Sequence, residues 1–383
     1  MQHVYFDHNA TTPVAPEVLR DLTMALVEVS GNASSIHHFG QAAKLRLERA
    51  RREVAARIGC DAKEIVFTSG GTESDNLAIF GVAKRAARTA RHIITSSIEH
   101  PAVLNACAQL EREGVEVTYL PVGRNGVIDT ADVKRALRPG TGLVTIMHAN
   151  NETGAVQPVR EIADLAKRSG AVFHCDGVQM GGRVPVNVGE LGVDLYSVSG
   201  HKFGAPKGVG ALYVRKGISL EPMFFGGHHE RDRRAGTENV PGVAALGSAA
   251  SLNFDWSSLA ALRDRLERGI LDRVKGTAVN GLAESRLPNT TNIRFDGIEG
   301  EAIVIALDLR GYAVSSGSAC SSGAVEPSHV LLAMGLRPEE ARSSVRFSLG
   351  PGNTDAEVDG LIEAVEASVA HLRRISPQVA SHV

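Results

Sequence analysis

A regular alternation of apolar strand patterns and helical patterns is the feature of this sequence that most restricts its fold. Between residues 64 and 175, short apolar segments rich in β-branched residues are separated by amphipathic stretches of helical periodicity. The segments are 65–67, 92–95, 115–120, 143–147 and 171–175. Strands that alternate with helices form a mostly parallel sheet with helices on both faces. We therefore predict an α/β fold built around such a sheet.

The length of the chain predicts a second domain. Single cores stop growing at about 250–300 residues, and the chain has 383. The helices and strands after residue 250 form a smaller α/β set that ends in a helix, which Thr354 and Glu357 open as a capping box. We predict a large domain over 14–250 and a small domain formed by 1–13 and 251–383.

A glycine-rich loop between two apolar segments, 195–198 and 211–214, carries Lys202 with Ser199 and His201 on either side. Hydroxyl and imidazole donors next to an amine suit a phosphate-bearing cofactor attached to the lysine, as in pyridoxal phosphate (PLP) enzymes. An ordinary solvated lysine in a surface turn is the alternative interpretation.

A second phosphate-binding pattern follows the strand at 65–67. Residues 68–76 read Thr-Ser-Gly-Gly-Thr-Glu-Ser-Asp-Asn and open a helix, so the amides of Gly71 and Thr72 and the Thr72 hydroxyl lie at its positive end. No G-K-[ST] follows, so the pattern does not indicate a nucleotide. A plain capped helix start is the alternative.

Three further residues suit a pyridine ring. Asp176 ends the buried strand 171–175, where a carboxylate can keep a pyridine nitrogen protonated and so make the ring an electron sink. Gln179 could bind the ring oxygen, and His100 could lie over the ring or move protons. Asp176 and His100 could instead be helix caps.

Charge and cysteine usage exclude several classes of protein. The formal charge is −2, without a Lys/Arg run that would indicate direct nucleic-acid binding. The N-terminus lacks signal-peptide features and no apolar run reaches the ~18 residues of a membrane span, so we expect a cytoplasmic protein. The cysteines Cys60, Cys107, Cys175 and Cys320 are far apart, and we expect neither a disulfide framework nor a metal site.

Taken together and in this order, the motifs resemble the class V aminotransferase-like PLP enzymes, and among them the cysteine desulfurases of the NifS and IscS type. The resemblance covers nearly the whole chain. It rests on residues 7–12, 31–37, 69–76, 99–100, 150–154, 176–179, 199–202, 234–239, 316–323 and 346–350.

The resemblance implies the PLP-dependent transferase fold of type I and a role for each site residue. Lys202 would hold the cofactor covalently, Asp176 would pair with the pyridinium, Gln179 would hold the ring oxygen, and His100 would stack on the ring and act in catalysis. The remaining cofactor-binding residues would be Gly71, Thr72, Asn151, Ser199, His201 and Thr237. Thr237 would reach the phosphate of a neighbouring subunit, which implies a homodimer. Arg346, with Asn32 and Asn151, would hold the substrate carboxylate.

Cys320 indicates the reaction. It lies in a Ser/Gly/Ala-rich segment without an apolar pattern, which favours an accessible loop, whereas the other cysteines suit buried structural positions. The resemblance implies that L-cysteine becomes L-alanine and that Cys320 keeps the sulfur as a persulfide. A sulfur-acceptor protein would receive it, either an iron–sulfur scaffold or a tRNA-thiolation relay.

Two other functions share part of this evidence. A selenocysteine lyase, or another class V lyase or transaminase, would use the same cofactor residues without Cys320. A scaffold of this fold that has lost catalysis would not need Lys202, Asp176 or Cys320. The chain departs from the family pattern at 226–230, at Gly177, where alanine is commoner, and at 350–353, without loss of a catalytic group.

Overall fold

The computed structural model describes residues 3–86, 91–281, 285–316 and 326–375. Its centre is a seven-stranded sheet. The strands are β2 (Ile65–Thr68), β3 (His92–Ser96), β4 (Glu116–Leu120), β5 (Thr141–Thr145), β6 (Val172–Asp176), β7 (Leu195–Ser199) and β8 (Gly210–Val214). Their spatial order is β2, β8, β7, β6, β5, β3, β4. Strands β3 to β7 pair in parallel, whereas β8 runs antiparallel to both β2 and β7.

Helices cover both faces of this sheet, as the alternation predicts. They are α1 (Pro16–Glu28), α2 (His38–Ile58), α3 (Gly71–Ala86), α4 (Pro101–Arg112), α5 (Thr130–Ala136), α6 (Val159–Ser169), α7 (Val188–Leu191) and α8 (Val240–Ala250). Successive strand residues point to opposite faces, so Ile93 packs with Leu77 and Val103 of α3 and α4, and Ile94 belongs to the cluster that contains Leu47 of α2. The predicted α/β class is confirmed.

A smaller unit follows the sheet. It contains α9 (Trp256–Arg273), β9 (Thr277–Val279), β10 (Thr290–Phe295), α10 (Gly300–Asp308), β11 (Tyr312–Ala313), α11 (His329–Ala333), α12 (Pro338–Arg342), β12 (Ser344–Ser348) and α13 (Asp355–Ile375). Strand β10 pairs antiparallel with β9 and β12. The capping box of α13 is confirmed, since the Thr354 amide donates to the Glu357 carboxylate at 2.9 Å and the Glu357 amide donates to the Thr354 hydroxyl at 3.3 Å.

The N-terminal segment joins this smaller unit. Strand β1 (Val4–Tyr5) pairs in parallel with β11, and Phe6 is fully buried in the same apolar cluster as Phe295 and Phe347. From there the chain passes to the edge of the large sheet, where residues 8–12 contact the Lys202 loop. The domain boundaries at 13 and 250 stay a prediction.

Strand β5 differs from its predicted range. The apolar pattern predicts a strand over 143–147, but β5 ends at Thr145. Beyond it the Met147 amide donates to the buried Glu99 carboxyl group at 3.0 Å, while the Ile146 and His148 amides still donate to backbone oxygens of β6. The apolar run continues past the strand because Met147 lines a cavity. No helix among the described residues is both long enough and apolar enough to cross a membrane.

Candidate active site

A cavity of about 400 Å³ lies at the carboxyl ends of the parallel strands, which is where open α/β sheets bind ligands. It brings together most of the residues that the sequence singles out. Those that line it are Gly71, Thr72, His100, Asn151, Asp176, Gln179, Ser199, His201, Lys202 and Arg346. Asn9, Ala10, Asp75 and Ser315 also line it, and the sequence alone gave them no role.

Lys202 ends a single 3-10 turn that follows strand β7. Its Nζ donates hydrogen bonds to the backbone oxygens of Asn9 at 2.7 Å and Ala10 at 2.8 Å. Burial, assisted by the charges of Arg183 and Arg346, lowers the pKa of Lys202 to about 7. A neutral amine is therefore well populated near pH 7, and a neutral amine is what attack on a carbonyl requires.

Another part of the cavity lining has the features of a phosphate site. The Ser199 hydroxyl is buried and has no hydrogen-bond partner among the described residues. Helix α3 begins at Gly71, so its free amides and the exposed Thr72 point toward the same space. The Nδ1 of His201 lies 3.1 Å from the Thr11 hydroxyl, which leaves Nε2 for an anion. A phosphate would give Ser199 the partner that it lacks.

Asp176 is the last residue of β6 and also lines the cavity. The Val178 amide donates to its Oδ1 at 2.9 Å, which leaves Oδ2 for a partner in the cavity. Burial raises the pKa of Asp176, while His100 and Lys202 partly oppose this effect. A protonated ring nitrogen would supply the missing positive partner.

A second buried carboxyl group, Asp75, lies next to Asp176. Burial and then the charge of Asp176 raise the pKa of Asp75 well above its usual value. Its neighbour His174, 3.6 Å away, has its pKa lowered to about 3 by burial. His174 is therefore neutral at pH 7, while burial beside Asp176 disfavours the charged form of Asp75.

The ring of His100 both caps a helix and lines the cavity, so its position is compatible with each of the two interpretations of the sequence. Its Nδ1 accepts a hydrogen bond from the Ala102 amide at 3.1 Å and caps helix α4, and the ring lines the cavity. Burial, with the nearby Lys202 and His329, lowers the pKa of His100 despite the opposing charge of Asp176. A neutral imidazole suits both stacking and proton transfer.

Arg346 lies in β12 and reaches the cavity from the smaller unit. It donates to the Asp7 carboxylate at 2.6 Å and to the Asn151 backbone oxygen at 3.0 Å. Its buried Nε has no partner among the described residues. A substrate carboxylate would therefore share the guanidinium with Asp7, which is a pairing that the sequence did not indicate.

The structure does not test the predicted roles of four other residues. The Gln179 Nε2 donates to the Asn9 backbone oxygen at 3.2 Å, and its buried Oε1 lacks a partner among the described residues. Asn32 and Thr237 are exposed and lie outside the cavity lining in a single chain, and the Asn32 Oδ1 accepts from the Ser34 amide. Cys320 lies outside the described residues. The roles of all four stay predictions.

Two of the other three cysteines are buried as predicted, and the third is partly buried. Cys107 and Cys175 are buried and Cys60 is half-buried. Burial raises the pKa of Cys60 and of Cys107 to about 12, and raises that of Cys175 well above its usual value. None of the three is a thiolate at neutral pH. Within the described ranges, no group of three or more His, Cys, Asp and Glu side chains is placed to hold a metal ion.

The structure explains the glycine at position 177. A Cβ there would lie 2.0 Å from the Cζ atom of Tyr196. Tyr196 is fully buried and its hydroxyl lies 2.9 Å from Nδ1 of His148. The space that an alanine methyl would fill is thus taken by the Tyr196 ring.

Gly177→Ala is expected to destabilise the protein by about 1–3 kcal/mol, because the added methyl overpacks a closed core. Thermal or urea unfolding measures this. Adding Tyr196→Leu should remove the clash, so the double variant should lose less stability than the sum of the two single variants. Additive losses would show that the two side chains do not compete for this space.

The loop that departs from the family pattern at 226–230 is anchored at Glu230. Glu230 is buried. Its carboxylate accepts hydrogen bonds from both terminal nitrogens of Arg51 at 2.8 Å and from the Phe67 amide at 2.9 Å. Removing one partner of a buried ion pair with this geometry strongly destabilises the folded protein, because the other charge stays buried without a partner. The anchor fixes the base of the loop that leads to Thr237.

Comparison with known proteins gives a consistent result. The family model described as aminotransferase class-V matches residues 4–361. The chain is 50% identical over 382 residues to the cysteine desulfurase of Trichormus azollae, covering 98% of this chain and 95% of that protein. It is 48% identical to the cysteine desulfurase IscS of Dictyoglomus turgidum, covering 98% and 97%.

Solved structures agree with the sequence comparison. A NifS-like protein superposes with a TM-score of 0.91 at 37% identity, covering 97% of this chain and 100% of that chain. The structure described as SspA in complex with cysteine has a TM-score of 0.82 at 37% identity, covering 91% and 99%.

Proposed function

The chain belongs to the class V aminotransferase family, in its PLP-dependent cysteine desulfurase branch, and we propose that Lys202 holds the cofactor and that Cys320 receives the sulfur of L-cysteine. The observation that carries this proposal is the composition of one cavity. It combines an amine with a pKa near 7, a buried carboxylate and an unpartnered hydroxyl at a helix start.

The residues fit PLP from one end to the other. Ser199, Thr72 and His201 would hold the phosphate, Asp176 would hold the ring nitrogen, and Lys202 would hold the aldehyde carbon. PLP, when bound, supplies an electron sink for the pair left on the substrate Cα after its proton is removed. A negatively charged Asp176 would support that function by keeping the ring nitrogen protonated.

The chain's own groups carry the remaining chemistry. Arg346 would hold the substrate carboxylate and so fix the orientation of the Cα–H bond. Lys202, released by the incoming amine, would take the Cα proton, since its pKa of about 7 suits a base at neutral pH. His100 would take the proton of the substrate thiol.

Sulfur transfer needs a nucleophile. The Cys320 thiolate would attack the substrate sulfur, and the carbon–sulfur bond would break with its electron pair left on the carbon side. A proton added to Cβ, and a proton returned to Cα with Lys202 as the donor, would yield L-alanine. The sulfur stays on Cys320 as a persulfide, so no external oxidant or reductant is consumed. An acceptor protein would then take it, for iron–sulfur cluster assembly or tRNA thiolation.

A homodimer in the cytoplasm is part of the proposal. Large apolar side chains stand exposed in a single chain, namely Val27 (79%), Ile36 (93%), Phe39 (58%), Leu45 (70%) and Phe225 (86%). Four of the five lie within residues 27–45, and exposed apolar side chains concentrated in this way are typical of an association site. A second subunit that covered this surface could place its Thr237 at the phosphate end of the cavity.

The activity is tested by incubating the purified protein with cysteine and with selenocysteine and measuring alanine. Production of alanine from cysteine, with a yellow chromophore that borohydride reduces, supports a desulfurase. Alanine from selenocysteine alone would indicate a selenocysteine lyase, which the named relatives do not favour. A colourless protein without either activity would indicate a scaffold.

Asp176→Asn is expected to retain much of the PLP but to slow removal of the Cα proton by about a hundredfold, because a neutral amide cannot keep the ring nitrogen protonated. Exchange of the substrate Cα proton in deuterated water measures this step. Asp176→Glu, which keeps the charge, should lose less. An unchanged exchange rate in Asp176→Asn would make Asp176 a structural cap only.

A further inference from the structure

Arg183 is a fully buried arginine directly behind Lys202, and neither the sequence patterns nor the proposed chemistry uses it. Only 1% of its surface is exposed. Its Nε donates to the Lys202 backbone oxygen at 3.0 Å, its Nη1 to the Asn9 Oδ1 at 2.6 Å, and its Nη2 to the His8 backbone oxygen at 2.6 Å. Burying a guanidinium costs folding free energy unless hydrogen bonds such as these satisfy its donors.

The three acceptors lie on two segments that meet only through the fold. One is the loop that carries Lys202. The other is the N-terminal segment, whose backbone oxygens at Asn9 and Ala10 receive the Lys202 amine. Arg183 therefore holds the lysine at its backbone and, through His8 and Asn9, holds the carbonyls that direct its side chain.

We propose that Arg183 is a positioning residue for the active-site lysine, since its guanidinium fixes both the Lys202 backbone and the N-terminal carbonyls that receive the Lys202 amine. The planar fork of arginine explains the residue type. Three acceptors in different directions need three donors held in one rigid plane, which a lysine ammonium does not provide.

The charge of Arg183 has a second effect on the same amine. After burial, it is the largest influence that lowers the pKa of Lys202, ahead of Arg346. The charges of Asp176 and Asp7 act in the opposite direction. The imidazoles of His100 and His201 also lie near Lys202, and the lysine charge helps to lower the pKa of each.

The inference rests on the proposed role of Lys202, but its test measures the reactivity and pKa of the Lys202 amine and not turnover. The full-length chain, freed of cofactor, would be labelled with trace acetic anhydride between pH 5 and 10, and the Lys202 peptide quantified by mass spectrometry. Only the neutral amine reacts, so the midpoint of labelling reports the Lys202 pKa. Hydrogen exchange of the amides of residues 8–12 would report how readily the N-terminal segment opens.

Arg183→Met removes both the guanidinium that donates these three hydrogen bonds and its positive charge. It should raise the labelling midpoint by about one pH unit, which lowers Lys202 labelling about fivefold at pH 7 and about tenfold at pH 5. Arg183→Lys keeps the charge but not the fork. It should leave the midpoint near that of the wild type, while exchange at residues 8–12 becomes about tenfold faster.

Arg57→Met is the matched control. Arg57 also donates to backbone oxygens of this region, those of Gly182 and Leu252, but among the described residues it makes no hydrogen bond to the Lys202 loop or to residues 8–12. It should change neither readout. The proposal is wrong if Arg183→Lys exchanges like the wild type, or if a folded Arg183→Met labels with the wild-type midpoint. Failure of borohydride to attach the cofactor to Lys202 in the wild type would instead contradict the proposed function.

Discussion

Lys202→Ala is expected to abolish alanine formation, with a loss of about three orders of magnitude or more, because the variant lacks both the covalent attachment point and the Cα base. No other described lysine lines the cavity. PLP should still bind through the phosphate end, where Ser199 and Thr72 are unchanged, but it should be removable by dialysis. The absorbance of the dialysed variant and its alanine production measure the two effects.

Lys207→Ala is the matched control, since Lys207 lies on the same loop but is exposed. It should keep the cofactor and nearly normal turnover. Borohydride reduction followed by peptide mapping should place the cofactor on the Lys202 peptide of the wild type. Cofactor on Lys207, or near-normal turnover by Lys202→Ala, would contradict the assignment.

Cys320→Ser is expected to have the second large effect, and it separates a desulfurase from other members of the family. Nothing about binding PLP, binding cysteine or removing the Cα proton requires a thiol. A neutral hydroxyl is a far poorer nucleophile than a thiolate, even one that is a few per cent populated near pH 7. Alanine formation from cysteine should therefore fall by about four orders of magnitude or more.

The same variant should keep its absorbance spectrum and should still exchange the Cα proton of cysteine with solvent. Cys60→Ser is the control, because burial raises the pKa of Cys60 to about 12 and keeps it out of the chemistry. It should retain turnover. Near-normal alanine formation by Cys320→Ser would favour a lyase or a transaminase of the same fold.

Local patterns were sufficient for the residues that strands deliver to the cavity. Asp176 and Ser199 end buried parallel strands, and both could be predicted because the carboxyl ends of such strands meet at one edge of the sheet. Thr72 could be predicted because a helix start attracts phosphate. The two alternatives for His100 both match its position, since its ring caps a helix and lines the cavity, and its catalytic role stays a prediction.

Contacts between distant segments could not be predicted in the same way. The Asn9 oxygen meets the Lys202 amine across 193 positions of sequence, and Asp7 meets Arg346 across 339. Neither partner carries a local pattern that names the other. Arg183 was missed for the same reason, because a buried arginine in a loop resembles a solvated one until the fold surrounds it.

The most direct test of the proposed desulfurase activity is to identify the cysteine that receives the substrate sulfur. Wild-type protein given a brief pulse of L-cysteine and then alkylated should be digested and examined by mass spectrometry. We expect one added sulfur on the peptide that contains Cys320, and none on the peptides of Cys60, Cys107 or Cys175. Sulfur on one of those three, or alanine formed while Cys320 carries none, would contradict the proposed desulfurase.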